Sequence, residues 1–179
     1  AGMEYEVILA DDNSTDETCR ITEKVSGLII SRNAENQRFL RNCNNAAQLA
    51  RGKYVMFLNN DTEVQPEWLQ SLCETIEADD SIGMVGSKLI YANGQLQEAG
   101  GILWADGSAW NYGHGDDPEK SEYNYVKEVD YISGCSMMIR RSLWEEIGGF
   151  DERFVPAYCE DSDMAFEVRA HGYKVIYQP

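Results

Sequence analysis

The chain has 179 residues, with 31 acidic against 15 basic side chains and a formal net charge of −16. That length suits one domain, spanning 1–179, with a substantial core. The acidity repels a phosphate backbone, so bulk nucleic-acid binding is excluded, and no apolar run approaches the ~20 residues of a membrane span.

Strand and helix signals alternate along the chain. Glu6–Ala10 reads as a short strand, followed by the polar turn Asp11–Asp16 and a helix from Thr15 or Asp16 to Val25. Leu28–Ile30 is a second strand. Phe39, Cys43, Ala46 and Ala50 recur at helical spacing, and Gly52 closes that helix. Tyr54–Leu58 is a third strand, and Pro66 opens a helix striped by Leu69, Leu72, Cys73 and Ile76. Met84–Ile90 reads as one strand. Residues 92–129, rich in Gly, Tyr, Trp and Asp, have weak periodicity and suggest hairpins and a long loop. Tyr131–Arg140 (strand), Ser142–Ile147 (helix), Glu160–Ala170 (helix) and Lys174–Tyr177 (strand) complete the chain. The alternation predicts an α/β domain with a largely parallel sheet, whose ligands sit at the carboxyl ends of its strands. The five cysteines are scattered without a CxxC pair, which fits reduced thiols and a cytoplasmic protein.

Two polar clusters fall at strand ends. In "LADDNSTDET", Asp11 and Asp12 follow the first strand, where a carboxylate can accept from a ribose hydroxyl or a base N–H. The same residues also suit a helix-capping turn. In "FLNNDTEVQPEWL", Asn59, Asn60 and Asp61 end the third strand. Asp61 offers an oxygen ligand to Mg2+ or Mn2+, and a plain Asn/Asp turn is the alternative. A third cluster, "YCEDSDMAFEVRAHGYKV", opens a helix. Asp161, Met164, Ala165 and Val168 follow i, i+3, i+4, i+7 spacing, which puts Asp161 in line with the apolar face and makes it a general-base candidate. Glu160 and Asp163 read as acids of a first helical turn.

With these motifs the sequence resembles the family 2 glycosyltransferases of GT-A fold. The resemblance runs from "EYEVILADDNSTDET" through "ARGKYVMFLNNDTEVQPEWL" to "SGCSMMIRRSLWEEIGGFDERF" and "CEDSDMAFEVRAHGYKV", and is nearest the rhamnosyltransferase-like branch. It implies a Rossmann-like, mostly parallel sheet flanked by helices. It further implies that Asp12, with Asp11 beside it, binds the nucleotide base, and that Asp61 holds a Mn2+ or Mg2+ bridging the donor diphosphate. Asn59 stands where the family has an Asp, so ribose or phosphate hydrogen bonding is implied for it and its neighbour Asn60. Asp161 matches the catalytic base, with Glu160 next to it. Gly148-Gly149-Phe150 matches a loop bordering the acceptor, and in some relatives a histidine placed like His171 completes the metal site. Trp110, in the irregular segment, is an aromatic face suited to stacking on an acceptor sugar, and packing of the loop accounts for it equally well.

The resemblance also implies that the family's first strand and its nucleotide loop are missing ahead of "EYEVI". The gap leaves an edge that another chain can fill, so a homodimer is an expectation. Asn44-Asn45-Ala46 departs from the family's Asn-x-Gly. The reading that results is metal-dependent, inverting transfer from a UDP- or dTDP-sugar to a saccharide or lipid-linked acceptor, cytoplasmic or at the inner membrane face. The alternatives are a domain that only binds nucleotide or serves in assembly, and a nucleotidyltransferase. A nucleotidyltransferase calls for a Gly-rich basic loop near the N-terminus, and none is seen.

Overall fold

The computed structural model describes residues 3–179. Strands β1 (Val7–Asp11) and β2 (Leu28–Arg32) form a two-stranded parallel sheet, joined through a 3-10 turn at Glu17–Glu23. A five-stranded sheet has the order β3 (Tyr54–Leu58), β10 (Ser136–Arg140), β4 (Ile82–Ser87), β11 (Lys174–Gln178), β9 (Lys127–Glu128). Short hairpins pair β5 (Leu89–Ile90) with β6 (Leu96–Glu98), and β7 (Gly101–Leu103) with β8 (Ala109–Asn111). The helices are α1 (Arg38–Ala47), α2 (Trp68–Ala78), α3 (Arg141–Ile147) and α4 (Glu160–Ala170).

The α/β class is as expected, but the strand directions are mixed. β4 and β11 run parallel, whereas β10 is antiparallel to both β3 and β4, and β9 is antiparallel to β11. β3, β4 and β11 therefore share one direction, and α2 makes the parallel crossover from β3 to β4. β10 is reached through the long irregular segment rather than a helix, so nothing forces it parallel, and it inserts between β3 and β4. The expected strand 84–90 is broken in two, and the expected helix after the first strand is a 3-10 turn capped by the Asp16 carboxylate on the Thr18 amide.

Period-2 alternation divides the core between the two faces of the sheet. Met84, Met137, Ile139 and Val175 face α1, α3 and α4, packing with Leu40, Leu143, Trp144, Met164, Ala165 and Val168. Their neighbours Val85, Met138 and Ile176 face α2, against Leu72 and Ile76. Ala46 is buried on α1, so the methyl that departs from the family pattern is accommodated. Among the described residues β3 pairs on one side only, with β10, and β1 pairs only with β2. Among the described residues no helix is long and apolar enough to cross a membrane.

Candidate active site

Because β10 opposes β3, the end of one meets the start of the other, and Leu58 pairs with Ser136. The turn before β10 then touches the residues that follow β3. The Asn59 amide donates to the Cys135 carbonyl at 3.0 Å, and the Thr62 hydroxyl closes the Asn59–Thr62 turn on the Asn59 carbonyl at 2.6 Å. Asp61 is exposed and faces Cys135, whose thiol is pushed up by burial and by the charges of Asp61 and Glu98.

From the other side, the Gly134 amide donates to Asp161 Oδ2 at 3.2 Å. Tyr158 and Cys159 both adopt left-handed backbone, which turns the chain sharply into α4. Asp161 therefore lies in the first turn of that helix, above the buried stripe Met164, Ala165 and Val168. The Ser162 amide donates to its other oxygen at 2.7 Å. Positive helix-end dipoles favour a carboxylate at this position. Two consecutive residues, Gly134 and Cys135, thus bring the Asn59–Asp61 turn and Asp161 together.

Glu160 is not a solvated first-turn acid. It is buried, and its Oε2 has no hydrogen-bond partner among the described residues. Burial, then the Asp161 charge, pushes its carboxyl above the usual carboxylate range, so it holds its proton more tightly. Its charge adds to the burial that pushes the Cys43 thiol on α1 up to about 12. Asp163 is half-buried.

Asp11 and Asp12 are committed to the protein. The buried Asp11 accepts from the Ser14 amide at 2.8 Å and pairs with Arg32. Its burial is outweighed by those donors, which hold it below the usual carboxylate range. Asp12 accepts from the Asn33 side chain and from the Gln37 and Arg38 amides, at 2.9, 2.7 and 2.8 Å. It thereby organises the loop leading into α1, while the Asn59, Asn60 and Asp61 side chains make no hydrogen bond among the described residues.

The GGF turn packs on α1 through Asn44, whose amide oxygen accepts from the Phe150 N–H at 2.9 Å and whose NH2 donates to the Phe150 carbonyl at 2.8 Å. Gly148 and Gly149 have φ of 94° and 85°. Phe150 is buried against Phe57 and Trp144. Trp110 stands on β8, 64% exposed, edge-on to Trp104 at 6.0 Å, beside an open recess of about 460 Å³ lined by Asn111, Tyr112, His114 and Asp116. The hairpin reaches the site through Asn111, which accepts from the Tyr131 hydroxyl at 2.8 Å. Burial, then the charges of Glu98 and Asp161, pushes that hydroxyl up to about 12.

His171 does not join the site. It is exposed at the far end of α4, its Nδ1 on the Glu167 carbonyl at 2.8 Å, and ten residues of helix separate it from Asp161, about 15 Å at the helical rise. Its position reflects the C-terminal capping role of a histidine before Gly172. Arg140 donates to the carbonyls of Ile82 and Ile76, and Arg169 to that of Asp130, so these guanidinium groups tie elements together.

A divalent cation finds a suitable oxygen in Asp61, which is unengaged. No three of the described His, Cys, Asp and Glu side chains converge as a cage. That donor set suits a cation completed by phosphate oxygens and water, the habit of Mg2+ with one or two carboxylates.

Sequence reasoning missed Glu98, buried on β6 and bonded to the Ser133 amide at 3.0 Å. Its signal was strand alternation, since Glu98 shares a strand face with the buried Leu96.

The O-antigen biosynthesis protein RfbC of Myxococcus xanthus is 31% identical over 96% of this chain, which spans 14% of that relative's length. The crystal structure of GalNAc-T7 with UDP, GalNAc and Mn2+ superposes with a TM-score of 0.77 at 18% identity, over 97% of this chain and 36% of that one. The S. aureus TarS 1–349 structure in complex with UDP gives 0.69 at 21% identity, over 97% and 48%. These superpositions show the GT-A fold. With residues 1–147 matching the Glycosyl transferase family 2 pattern, the chain belongs to glycosyl transferase family 2.

Proposed function

We propose that this domain transfers a sugar from a UDP- or dTDP-linked donor to a hydroxyl of a saccharide or lipid-linked acceptor, with inversion at the anomeric carbon. The observation that carries this reading is the Ser133–Cys135 turn, which holds the Asn59–Asp61 turn and the Asp161 carboxylate on neighbouring backbone groups. Asp161 takes the proton of the acceptor hydroxyl. The acceptor oxygen bonds to the anomeric carbon as the bond from that carbon to the diphosphate oxygen breaks, and a single displacement of this kind inverts the centre. Asn59 and Asn60 donate to ribose or phosphate oxygens, and Asp11 and Asp12 shape the loop beside the nucleotide. Mn2+ or Mg2+ held by Asp61 would neutralise charge on the departing nucleoside diphosphate. Such a cation offsets the repulsion between an anionic donor and a chain of net charge −16. The UDP and Mn2+ in the GalNAc-T7 structure and the UDP in the TarS structure support this choice of ligands.

On the acceptor side, the exposed Trp110 face and the Gly148-Gly149 turn are the surfaces for a sugar ring. With a lipid-linked acceptor the work would take place at the cytoplasmic face of the inner membrane. The test is calorimetric titration with UDP and dTDP, with and without Mn2+. Binding that depends on Mn2+ is expected, and Asp61→Ala is expected to abolish the dependence with an unchanged circular dichroism spectrum. Equal Mn2+-dependent binding in that variant would overturn the assignment of Asp61.

A second reading, a domain that binds nucleotide without turning it over, is favoured by Asn59 in place of a carboxylate and by the one-sided pairing of β3. Release of UDP from a donor sugar only when an acceptor saccharide is present separates the two.

A further inference from the structure

Glu98 is 1% exposed at the end of β6, a strand outside the five-stranded sheet. A carboxyl group is rarely buried this deeply without a task, because burial removes its hydration. Its Oε1 accepts from the Ser133 amide at 3.0 Å. The next amide, Gly134, donates to Asp161 at 3.2 Å, and the next carbonyl, Cys135, accepts from Asn59 at 3.0 Å. The turn is closed internally by the Cys135 amide on the Ser133 hydroxyl at 3.2 Å. Three consecutive residues thus carry one bond each to Glu98, to the acid of α4 and to the turn after β3.

We propose that Glu98 is a positioning residue of the transfer site, fixing the Ser133–Cys135 turn through which Asp161 and Asn59 take up their relative places. The proposal rests on the reading of Asp161 as proton acceptor. It adds a residue that touches neither donor nor acceptor and acts through two that do. A displacement of about 1 Å between reacting groups can cost on the order of a hundredfold in rate, so anchoring the shared turn has a direct bearing on transfer. The titratable groups facing Glu98 are Asp161, Tyr131, Tyr177 and Cys135, and none of them is a cation. Burial first, then the Asp161 charge, pushes the Glu98 carboxyl up to about 7 against the pull of the Ser133 amide.

The test uses the 15N-labelled chain and reads the amide signals of Ser133, Gly134 and Asn59, which require no donor or acceptor. In Glu98→Ala the Ser133 anchor is lost, and the Gly134 and Asn59 signals are expected to move together with Ser133. In Glu98→Gln the amide oxygen still accepts from Ser133, and all three are expected to return to their wild-type low-pH positions. In wild type the three signals are expected to share a midpoint near 7, absent from Glu98→Gln. If Glu98→Ala shifts Ser133 alone, or if Glu98→Gln keeps the midpoint at Gly134, the proposal is overturned. Should Glu98→Ala fail to fold, the Glu98→Gln titration decides. A UDP titration with Mn2+ on the same samples keeps the two readings apart: loss of the shared amide response with UDP still bound overturns the positioning role alone, and loss of UDP binding with the response intact overturns the donor site alone.

Discussion

Glu98 is buried beside the half-buried Asp161 in one site. The folded chain keeps a proton on Glu98 up to about pH 7, whereas an exposed Glu releases it near pH 4.3. Between those values the folded state binds more protons than the unfolded one, so stability falls as pH rises through that window. Glu98→Gln removes this titration. Relative to wild type it is expected to gain up to roughly 3 kcal/mol between about pH 5 and pH 8, read as a pH-dependent gap between urea midpoints. A gap that stays constant across that range would count against the buried, proton-holding state. Asp161 was legible in the sequence because its spacing to Met164, Ala165 and Val168 tied it to a buried helix face. Glu98 was not, because it stands in a segment too irregular for its single alternation with Leu96 to register. Asp11 and Asp12 illustrate a different limit. Sequence placed them at a strand end, but apart from the Ser14 amide on Asp11 their donors come from residues about 21 to 26 positions away, and no local pattern announces those.

At the scale of elements, the long periodic stretches were read closely. β3 and α4 match their expected ranges: β3 is a continuous apolar run stopped by Asn59-Asn60-Asp61, and α4 carries the Met164, Ala165 and Val168 stripe and is closed by Gly172. The direction of β10 was not readable, since it depends on how the chain returns after the weakly periodic segment 92–129 rather than on the strand itself. The turn after α3 gives a test at this scale. Gly148 and Gly149 are both left-handed, but a methyl group on Gly148 meets nothing within 4 Å, while one on Gly149 meets Asn44 Oδ1 at 2.8 Å. Alanine is expected to cost about 1 kcal/mol at Gly148, from backbone strain alone. At Gly149 it is expected to cost roughly twice that or more, because the Asn44 clamp on Phe150 is displaced. Chemical denaturation of the two variants checks the ranking, and equal losses would show that Asn44 moves aside freely.

For the whole molecule, the β3 edge without a partner among the described residues is the feature with the widest reach. A second copy pairing there would be an isologous dimer, with backbone groups as its adhesive. Hydrogen exchange gives the measurement: alternate β3 amides are expected to exchange fast in dilute solution and to become protected as concentration rises. Protection independent of concentration would leave a dimer at this edge without support. The fold class was legible because helix and strand periods alternate over most of the chain, while the split into a two-stranded and a five-stranded sheet depends on pairings between distant segments. The Ser133–Cys135 turn has a consequence of its own. It works as a ruler: with each of its residues already committed to a different element, one residue added or removed between Ile132 and Ser136 would put the α4 acid out of step with the end of β3. The bonds to Glu98, Asp161 and Asn59 all run through backbone groups of this loop, so its length is what anyone remodelling this scaffold should leave alone.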